Sequence, residues 1–574
     1  MFTRFHFFQL TVFSLLTVLG LGLFNTQVVR GRYFYEQSMR NHIRLIPLEA
    51  PRGRVFDQKH RLLATNRPAY NVLAIPEDVT PEVYPRIAKL LGVNEKEIRQ
   101  KMSSGREYPF APVIIKADIS SEMAFRIEER RPELPGVSIR VDGIRYYPYG
   151  ETASHVIGYI GAISKREYAE SDRDRFGMSS MVGRAGIEKV FDDTLRGWRG
   201  GRQIEVNARG ELMQVLSDRK PEAGEDITLT LDLEFQKRIM ARIKGLHASV
   251  AVLDLETDGL LALASAPAYD PNIFVSPASS EQRLALIKGQ DSPMLDRGIH
   301  ATYPPGSVFK LVTALAALEL KKITPQTRFN CTGSFQLGPK SKPVHCWFQE
   351  GHGSINLYEA IERSCNVYFC NVAKRLSPDD IAHYAHELGL GESLKLEISK
   401  IAPGLIPDST WKMARFKQPW YQGETLNMAI GQGYLLVTPF EVMRLTAIIA
   451  KNGRISEPHL VAQDHPLLTD GPRVAIQEQN LNVIKRGMLQ VVESDYGTGQ
   501  LARVDFDKLA GKTGTAQAPP KKAHSWMTGF FPYKQPKLAF VVFVEHGGSG
   551  GITSARIVKQ ILETWKELNV TPVA

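Results

Sequence analysis

Cysteine is scarce in this chain, with four in 574 residues, all of them between Cys331 and Cys370. That is too few for a scaffold built on disulfides. Lys and Arg nowhere form a run interleaved with stacking aromatics, so the basic excess, 71 against 61 for a net charge of +10, does not read as a nucleic-acid footprint. Internal repeats and low-complexity tracts are also missing. Hydrophobic residues at 43 % and charged residues at 23 % are ordinary globular usage, which excludes disordered, collagen-like and coiled-coil classes. A chain of 574 residues is too long for one compact core, so a single small binding module is excluded as well.

Charge is absent altogether from Phe5 to Val29, and Phe7 to Phe24 is almost wholly apolar. Such a run reaches the ~20 residues that cross a hydrocarbon core. No small-x-small cleavage pattern follows, since Asn25-Thr26-Gln27-Val28 offers none, and an uncleaved single-pass anchor is expected rather than a removed signal peptide. Arg4 lies before the run, and Arg30, Arg32, Arg40 and Arg44 lie after it. A bare count of positive charges would keep the bulk of the chain inside, but large domains translocate largely regardless of it.

After the anchor (1–28) the text changes twice. From 29 to 215, short apolar alternations such as Tyr70-Asn71-Val72-Leu73-Ala74-Ile75 are broken by Gly and Pro, which implies a β-rich pedestal with a few short helices. Gly183 to Gly197 reads as a structural loop opening a helix. A break near Pro221-Glu222-Ala223-Gly224-Glu225 introduces a domain spanning 216–574. There a strand at Ile227–Leu231 precedes Asp232 as the amino cap of a helix, and Ser249–Asp254 with Gly259–Ala264 forms a hairpin. Helices at Phe309–Leu320 and Phe440–Lys451 follow, then strands at Met527–Phe531 and Leu538–Val544, and a last amphipathic helix from Ser554 to Leu568. Helices inserted between a first hairpin and a last set of strands predict an α+β domain with one antiparallel sheet flanked by helices.

Three short motifs carry chemistry. Ser307 opens a helix after Tyr303-Pro304-Pro305-Gly306, and Lys310, three residues on, shares its face. Lys310 is thus expected beside the Ser307 hydroxyl, where a lysine of lowered pKa can remove its proton, and the helix amino terminus offers N–H groups to an oxyanion. Ser364-Cys365-Asn366 follows at the end of a helical segment from Leu357, and Lys512-Thr513-Gly514-Thr515 starts a strand whose glycine admits a substrate backbone. A second Ser-x-Asn, at Ser354-Ile355-Asn356, reads as an amino cap. Ser-x-x-Lys, Ser-x-Asn and Lys-Thr-Gly in this order resemble the serine acyltransferases that comprise penicillin-binding proteins and serine β-lactamases.

Arg52-Gly53-Arg54-Val55-Phe56-Asp57, the Gly183–Gly197 stretch, Ala268-Tyr269-Asp270-Pro271-Asn272, Gly423-Glu424-Thr425 and Ala429-Ile430-Gly431-Gln432-Gly433 look like class B penicillin-binding proteins, the membrane-anchored transpeptidases. Tyr-Pro-Pro-Gly before Ser307 and the Cys between Ser364 and Asn366 are more similar to the elongation type than to the septal type. One departure is Asp57-Gln58-Lys59-His60, where the family usually has Asp-Arg-Asn-Gly. The resemblance implies that Ser307 attacks the penultimate D-alanine carbonyl of a peptidoglycan stem peptide and that β-lactams acylate the same serine. It implies Lys310 as base, Ser364 as proton relay, Asn366 on the substrate amide, Lys512 as a positive charge and Thr513 and Thr515 on the terminal carboxylate, with no cofactor for catalysis. A domain acting on the wall faces the periplasm from the inner membrane, and a SEDS-family, RodA-like glycan polymerase and other elongation proteins are implied as partners. Trp526, in His524-Ser525-Trp526, is a further candidate for the cleft edge.

Cys331, Cys346, His352 and Cys365 are spaced x14, x5 and x12. Three thiolates and an imidazole make a closed tetrahedral zinc set, hence a structural site that would clamp the 331–352 loop onto the helix carrying Ser364. A Cys331–Cys346 disulfide and free thiols are the alternatives, and His345 competes with His352. Rival functions are a β-lactamase or β-lactam sensor with the same motifs, for which no base for a deacylating water is evident, and a non-catalytic scaffold for a wall polymerase.

Overall fold

The computed structural model describes residues 4–34, 43–104, 112–172, 175–177, 180–206, 212–276, 280–462 and 471–569. The apolar amino-terminal run forms the helix Arg4–Phe24, continued by a π-helical turn at Asn25–Val29. Over His6–Val29 its mean hydropathy is 2.0 and none of it is buried against the rest of the chain, as an anchor requires. Arg40 lies outside the described residues.

The pedestal is built on Leu62–Ala74, a strand of 13 residues. From Thr65 to Ala74 it pairs antiparallel with Val137–Tyr146, and at its far end with Val113–Ile119. At the near end it pairs with Val55–Phe56, which in turn takes Ile227–Thr228 as a parallel neighbour. The chain therefore returns to the pedestal before entering the second domain. The boundary expected at 215 falls inside the strand Leu212–Arg219, which pairs with Gly200–Val206. The strand expected over Ile227–Leu231 is shorter, Ile227–Thr228, with Leu229 held by a single bridge to Val461.

The second domain has the predicted α+β form. Its antiparallel sheet runs in the order Leu260–Ala266, Ala248–Asp254, Leu538–Val544, His524–Phe531, Ala510–Ala516. The three inner strands are buried on both faces, apart from Asp254 at one end, because helices Pro439–Ala450 and Thr553–Asn569 cover them. Asp232 caps the helix Leu233–Ile243 as the sequence predicts, accepting from Glu234 N and Phe235 N.

Among the described residues, buried side chains form two clusters. One joins Val72, Ile87, Leu91, Ile115 and Ile127 at the far end of the pedestal. The other is continuous from Val55, Leu63, Ile187 and Leu195 of the pedestal into Phe235, Val250 and Phe540 of the second domain. The motifs that looked familial in sequence are the fasteners of this shared core. Glu188 is fully buried and receives Arg52 Nε at 2.7 Å, Arg145 Nε at 2.6 Å and the Tyr147 hydroxyl at 3.3 Å. Asn272 clamps the Tyr147 backbone with both side-chain atoms, accepting at 3.0 Å and donating at 2.9 Å. The departure at Asp57–His60 keeps its turn: Asp57 accepts from Lys59 N, Arg61 N and Leu233 N at 2.8 to 3.0 Å, and His60 takes φ +55° where the family has glycine.

Removing one partner of a buried ion cluster leaves uncompensated charge, at a cost of about 3–5 kcal/mol. We expect Glu188→Gln, which leaves Arg145 without a carboxylate and Arg52 with Asp192 alone at 2.7 Å, to lower the denaturant midpoint by a corresponding amount. A loss under about 1 kcal/mol would mean that both guanidinium groups find other partners and that Glu188 does not fasten the pedestal.

Candidate active site

Two positive-φ glycines bring the first motif against a second loop. Gly306, at φ +55°, donates to Gly431 O at 2.9 Å, and a Cβ on Gly431 would stand 2.0 Å from Gly306 O. Ser307 thus lies in a 3₁₀ turn, Gly306–Phe309, that winds directly into the helix Lys310–Glu319. Ser307 lines a cleft of about 780 Å³ together with Ser364, Asn366, Thr513 and Thr515.

Lys310 is fully buried, and its amine does not bond the Ser307 hydroxyl. It donates to Ser364 O at 2.7 Å, Asn366 Oδ1 at 2.7 Å and Ser364 Oγ at 3.3 Å. Among the described residues nothing hydrogen-bonds Ser307 Oγ. Lys512, also fully buried, donates to the same Ser364 Oγ at 3.0 Å and to Thr513 O at 2.9 Å. One hydroxyl therefore faces two amines. A serine hydroxyl has two lone pairs and one proton, so accepting from both leaves its own proton free to point into the cleft.

Two ammonium groups in so dry a space repel each other. Burial brings Lys310 down to about 8. Burial first, and then Lys310, drive Lys512 well below the usual lysine range. The positive charge expected of Lys512 is therefore held less firmly than on an exposed lysine, and an entering anion favours it.

The helix from Leu357 stops at Glu362, earlier than its sequence predicts, and Asn366 begins the next one, Asn366–Ala373. Ser364 occupies the turn between them at φ +53°, a conformation that costs a non-glycine residue of order 1–3 kcal/mol and persists where its surroundings dictate it. Those surroundings are Ser364 N to Ile361 O at 3.2 Å, Cys365 N to Ala360 O at 3.0 Å, and the Cys365 thiol accepting from Tyr368 N at 3.4 Å. Ser354-Ile355-Asn356 is a capping element, as read: Asn356 accepts from Glu359 N at 3.0 Å in a capping box.

Alternation along the strand Ala510–Ala516 sends Thr513 and Thr515 to one face, where both line the cleft. Two of the candidate residues turn away from it. A Cβ on Gly514 would meet Pro305 O and Val308 Cγ2 at 3.0 Å, so this glycine admits the first motif, not substrate. Trp526 is 0 % exposed, and its indole donates to Pro304 O at 3.0 Å beneath the Ser307 turn. Its large apolar ring is spent on the sheet–helix junction, which corrects the expectation that it edges the cleft.

Sequence reasoning missed Asn427, Gln432, Thr498 and Gln517, which supply polar lining. Gln432 sat in the Ala429–Gly433 run, whose glycines were the available signal. Thr498 gave none, since only the fold brings its hydroxyl to 2.7 Å from that of Thr513.

The four candidate metal ligands converge: their ligand atoms all lie within 4.8 Å of one another. Sγ of Cys331 and Sγ of Cys346 each stand 3.6 Å from His352 Nδ1, and Cys346 and Cys365 sulfurs are 4.0 Å apart. A tetrahedral ion with zinc–sulfur bonds of about 2.3 Å would set its sulfurs about 3.8 Å apart, so the donor set fits. The hydrogen bond with Cys365 draws the Cys346 thiol far below its usual range, and His352 adds to this. His345 instead lines the cleft, where its carbonyl accepts from Asn366 Nδ2 at 2.8 Å. All four cysteines are free of disulfides, and Cys370 is a core residue.

Comparison with known proteins agrees across nearly the whole length. The penicillin binding protein transpeptidase domain matches residues 248–563, and the penicillin-binding protein dimerisation domain matches 47–229. Peptidoglycan D,D-transpeptidase MrdA of Haemophilus influenzae is 31 % identical, covering 96 % of this chain and 90 % of that protein. The enzyme of the same name from Escherichia coli K12 is also 31 % identical, covering 96 % and 92 %. The complex of PBP2 and MreC from Helicobacter pylori superimposes with a TM-score of 0.82 at 29 % identity, over 92 % of this chain and 99 % of that one. Pseudomonas aeruginosa PBP2 in complex with WCK 5153 gives 0.71 at 27 % identity, over 92 % and 100 %.

A base must be unprotonated to act, so the lowered Lys310 sets the sign of a pH profile. We expect the rate of Ser307 acylation by penicillin to rise about tenfold per unit below pH 8 and to level off above it. A rate flat from pH 6.5 to 9.5 would remove Lys310 from the role of base.

Proposed function

The chain belongs to the penicillin-binding protein transpeptidases, elongation type, and on that premise we propose how its residues cross-link peptidoglycan stem peptides. The observation that carries the reading is Ser364 Oγ, held at 3.3 and 3.0 Å from two buried lysine amines beside Ser307. Ser307 Oγ attacks the penultimate D-alanine carbonyl of the donor stem, and its proton passes to the Lys310 amine. The C–N bond to the last D-alanine breaks as the Ser364 hydroxyl delivers a proton to the departing nitrogen. Ser364 is replenished from the lysine pair that bonds it. Backbone N–H groups of Ser307 and Thr515 receive the oxyanion, worth roughly 3–4 kcal/mol per donor. Thr513 and Thr515 bind the terminal carboxylate, whose charge also favours a protonated Lys512, and Asn366 holds the donor amide. An amine from a second stem then takes the acyl group and frees Ser307; water in its place gives a carboxypeptidase side reaction.

The helix His6–Val29 anchors the chain in the inner membrane by a single pass, with the catalytic domain in the periplasm. β-Lactams, which mimic D-alanyl-D-alanine, acylate Ser307. A relative of this architecture is held in complex with MreC, and another belongs to a peptidoglycan synthase complex of polymerization and crosslinking. A SEDS-family, RodA-like polymerase and the elongation machinery that maintains rod shape are the corresponding partners here. A zinc ion held by Cys331, Cys346, His352 and Cys365 would leave no ligand position open and would serve as a structural cross-link.

Two experiments test this. Labelled penicillin should leave one adduct on the peptide bearing Ser307, and Ser307→Ala should lose both adduct and cross-linking, by at least ~10³-fold. An adduct on another residue, or rapid turnover of nitrocefin by the wild type, would overturn the assignment. For the metal, protein purified without chelator or added metal should carry one equivalent of zinc by elemental analysis, and Cys331→Ser should abolish it. Two titratable thiols and no metal would refute the site.

A further inference from the structure

Resting on the transpeptidase reading, we propose that Tyr303 and Glu545 are positioning residues: the Tyr303 hydroxyl, bonded to the Glu545 carboxylate, holds the turn that aims Ser307.

The turn cannot hold itself. Ser307 is reached through Tyr303-Pro304-Pro305-Gly306. Neither proline has an N–H to donate, and each has its φ locked by the ring, so the stretch is stiff and poor in hydrogen bonds of its own. Gly306, the one residue that could absorb a displacement, is held by Gly431 O at 2.9 Å. A shift at Tyr303 is therefore passed on to Ser307. Because a reacting group misplaced by about 1 Å can lose about a hundredfold in rate, whatever fixes Tyr303 bears on the reaction without touching substrate.

The backbone of the stretch is tied along one edge. Tyr303 exchanges both of its backbone hydrogen bonds with Val437, at 2.8 and 2.9 Å, and the Pro304 carbonyl accepts from Trp526. None of these bonds acts on the Tyr303 side chain. Its buried ring lies 4.1 Å from that of Phe543, tilted by 35°. Ring contact sets a separation, and the hydroxyl supplies direction by donating to Glu545 Oε1, a bond to a charged acceptor and so of the stronger kind. Burial, and then that bond, push the phenol well above its usual range. The proton stays on Tyr303, and the sense of donation is fixed.

Glu545 is braced in its turn. Arg297 Nε stands 3.5 Å from the oxygen that takes the phenol, and Arg297 is buried with its Nη1 and Nη2 donating to the carbonyls of Ser292 and Asp291. His247 Nδ1 lies 3.3 Å from Glu545 Oε2, and its Nε2 lies 3.3 Å from Asp291 Oδ1. Glu545 N also donates to His247 O at 2.7 Å. Segments around residues 247, 291–297 and 545 thus converge on one phenol four positions before Ser307, and no step of the reaction above uses them.

The test uses full-length protein in detergent with benzylpenicillin. The Ser307 adduct is followed by rapid-quench mass spectrometry as a fraction of its own plateau, so unfolded protein is not counted. The concentration dependence separates half-saturation from the limiting acylation rate. Tyr303→Phe should lower the limiting rate at least ~10-fold, as loss of a charge-assisted bond predicts, and leave half-saturation within about twofold. Glu545→Gln keeps an oxygen that accepts the phenol and should stay within about threefold of wild type, whereas Glu545→Leu should match Tyr303→Phe. Joining Tyr303→Phe to Glu545→Leu should slow the rate by no more than about twofold beyond either alone, since both remove one interaction. A Tyr303→Phe limiting rate within about twofold of wild type, a loss confined to half-saturation, Glu545→Gln as slow as Glu545→Leu, or additive losses would each overturn the tether. Absence of any adduct on Ser307 in the wild type would instead overturn the transpeptidase reading on which it rests.

Discussion

Everything in the catalytic domain depends on keeping two lysine amines dry around a single hydroxyl. Lys310 comes from the helix behind Ser307, Lys512 from the edge strand, and Ser364 from a turn between two helices, so three separate pieces of chain must meet to within hydrogen-bond distance. Water in this space would restore both amines to their ordinary basicity, and the site would have no base near neutral pH. Burial is therefore a chemical requirement as well as a stabilising one. It accords with the fully buried ring of Phe369, whose centroid lies 5.6 Å from the Lys310 amine.

The Ser364 turn is the least self-sufficient of the three pieces. Its left-handed backbone is unfavourable for a serine, and its helix is only Leu357–Glu362. Constraint comes from both flanks. On one side Cys365 caps the following helix and joins the thiol–imidazole cluster. On the other, the Glu362 carbonyl takes Thr498 N. Cys365 is adjacent in sequence to the hydroxyl on which both lysines converge, so the cluster acts on the geometry at a range of one residue.

Much of this was legible in the sequence because the motifs sit at element ends. Ser307 after Pro-Pro-Gly, Asp232 before an apolar helix and Asn356 with Glu359 announce helix starts, and the structure has them there. The hydrogen bonds of Lys310 were not legible: helical spacing puts it on the face of Ser307, but a 3₁₀ turn begins the helix and the amine donates to three acceptors on Ser364 and Asn366 rather than to the Ser307 hydroxyl. Gly514 and Trp526 were misread for a related reason. Period 2 gives which residues share a face, not which face meets substrate, and here Gly514 backs onto Pro305. Thr498 could not be found at all, because nothing local marks a residue whose partners, Thr513 and the Glu362 carbonyl, lie 15 and 136 positions away.

The two buried clusters divide the molecule differently from the sequence. Strand Leu62–Ala74 passes through both, placing Leu63 and Ala64 in the core shared with the catalytic domain and Val72 and Ala74 in the outer cluster. Where the core is shared, the pedestal and the cleft cannot turn relative to each other without opening contacts such as Glu188 with Arg52 and Arg145, or Asn272 with Tyr147. The attitude of the cleft is thus set by the lower pedestal. The outer cluster closes on its own side chains and meets the rest mainly through that strand and Val137–Tyr146, so a force applied there bends two paired strands before it disturbs a catalytic distance. A separately packed unit of this kind can shift at lower cost than the shared core, which places compliance at the far end of the pedestal and rigidity under Ser307.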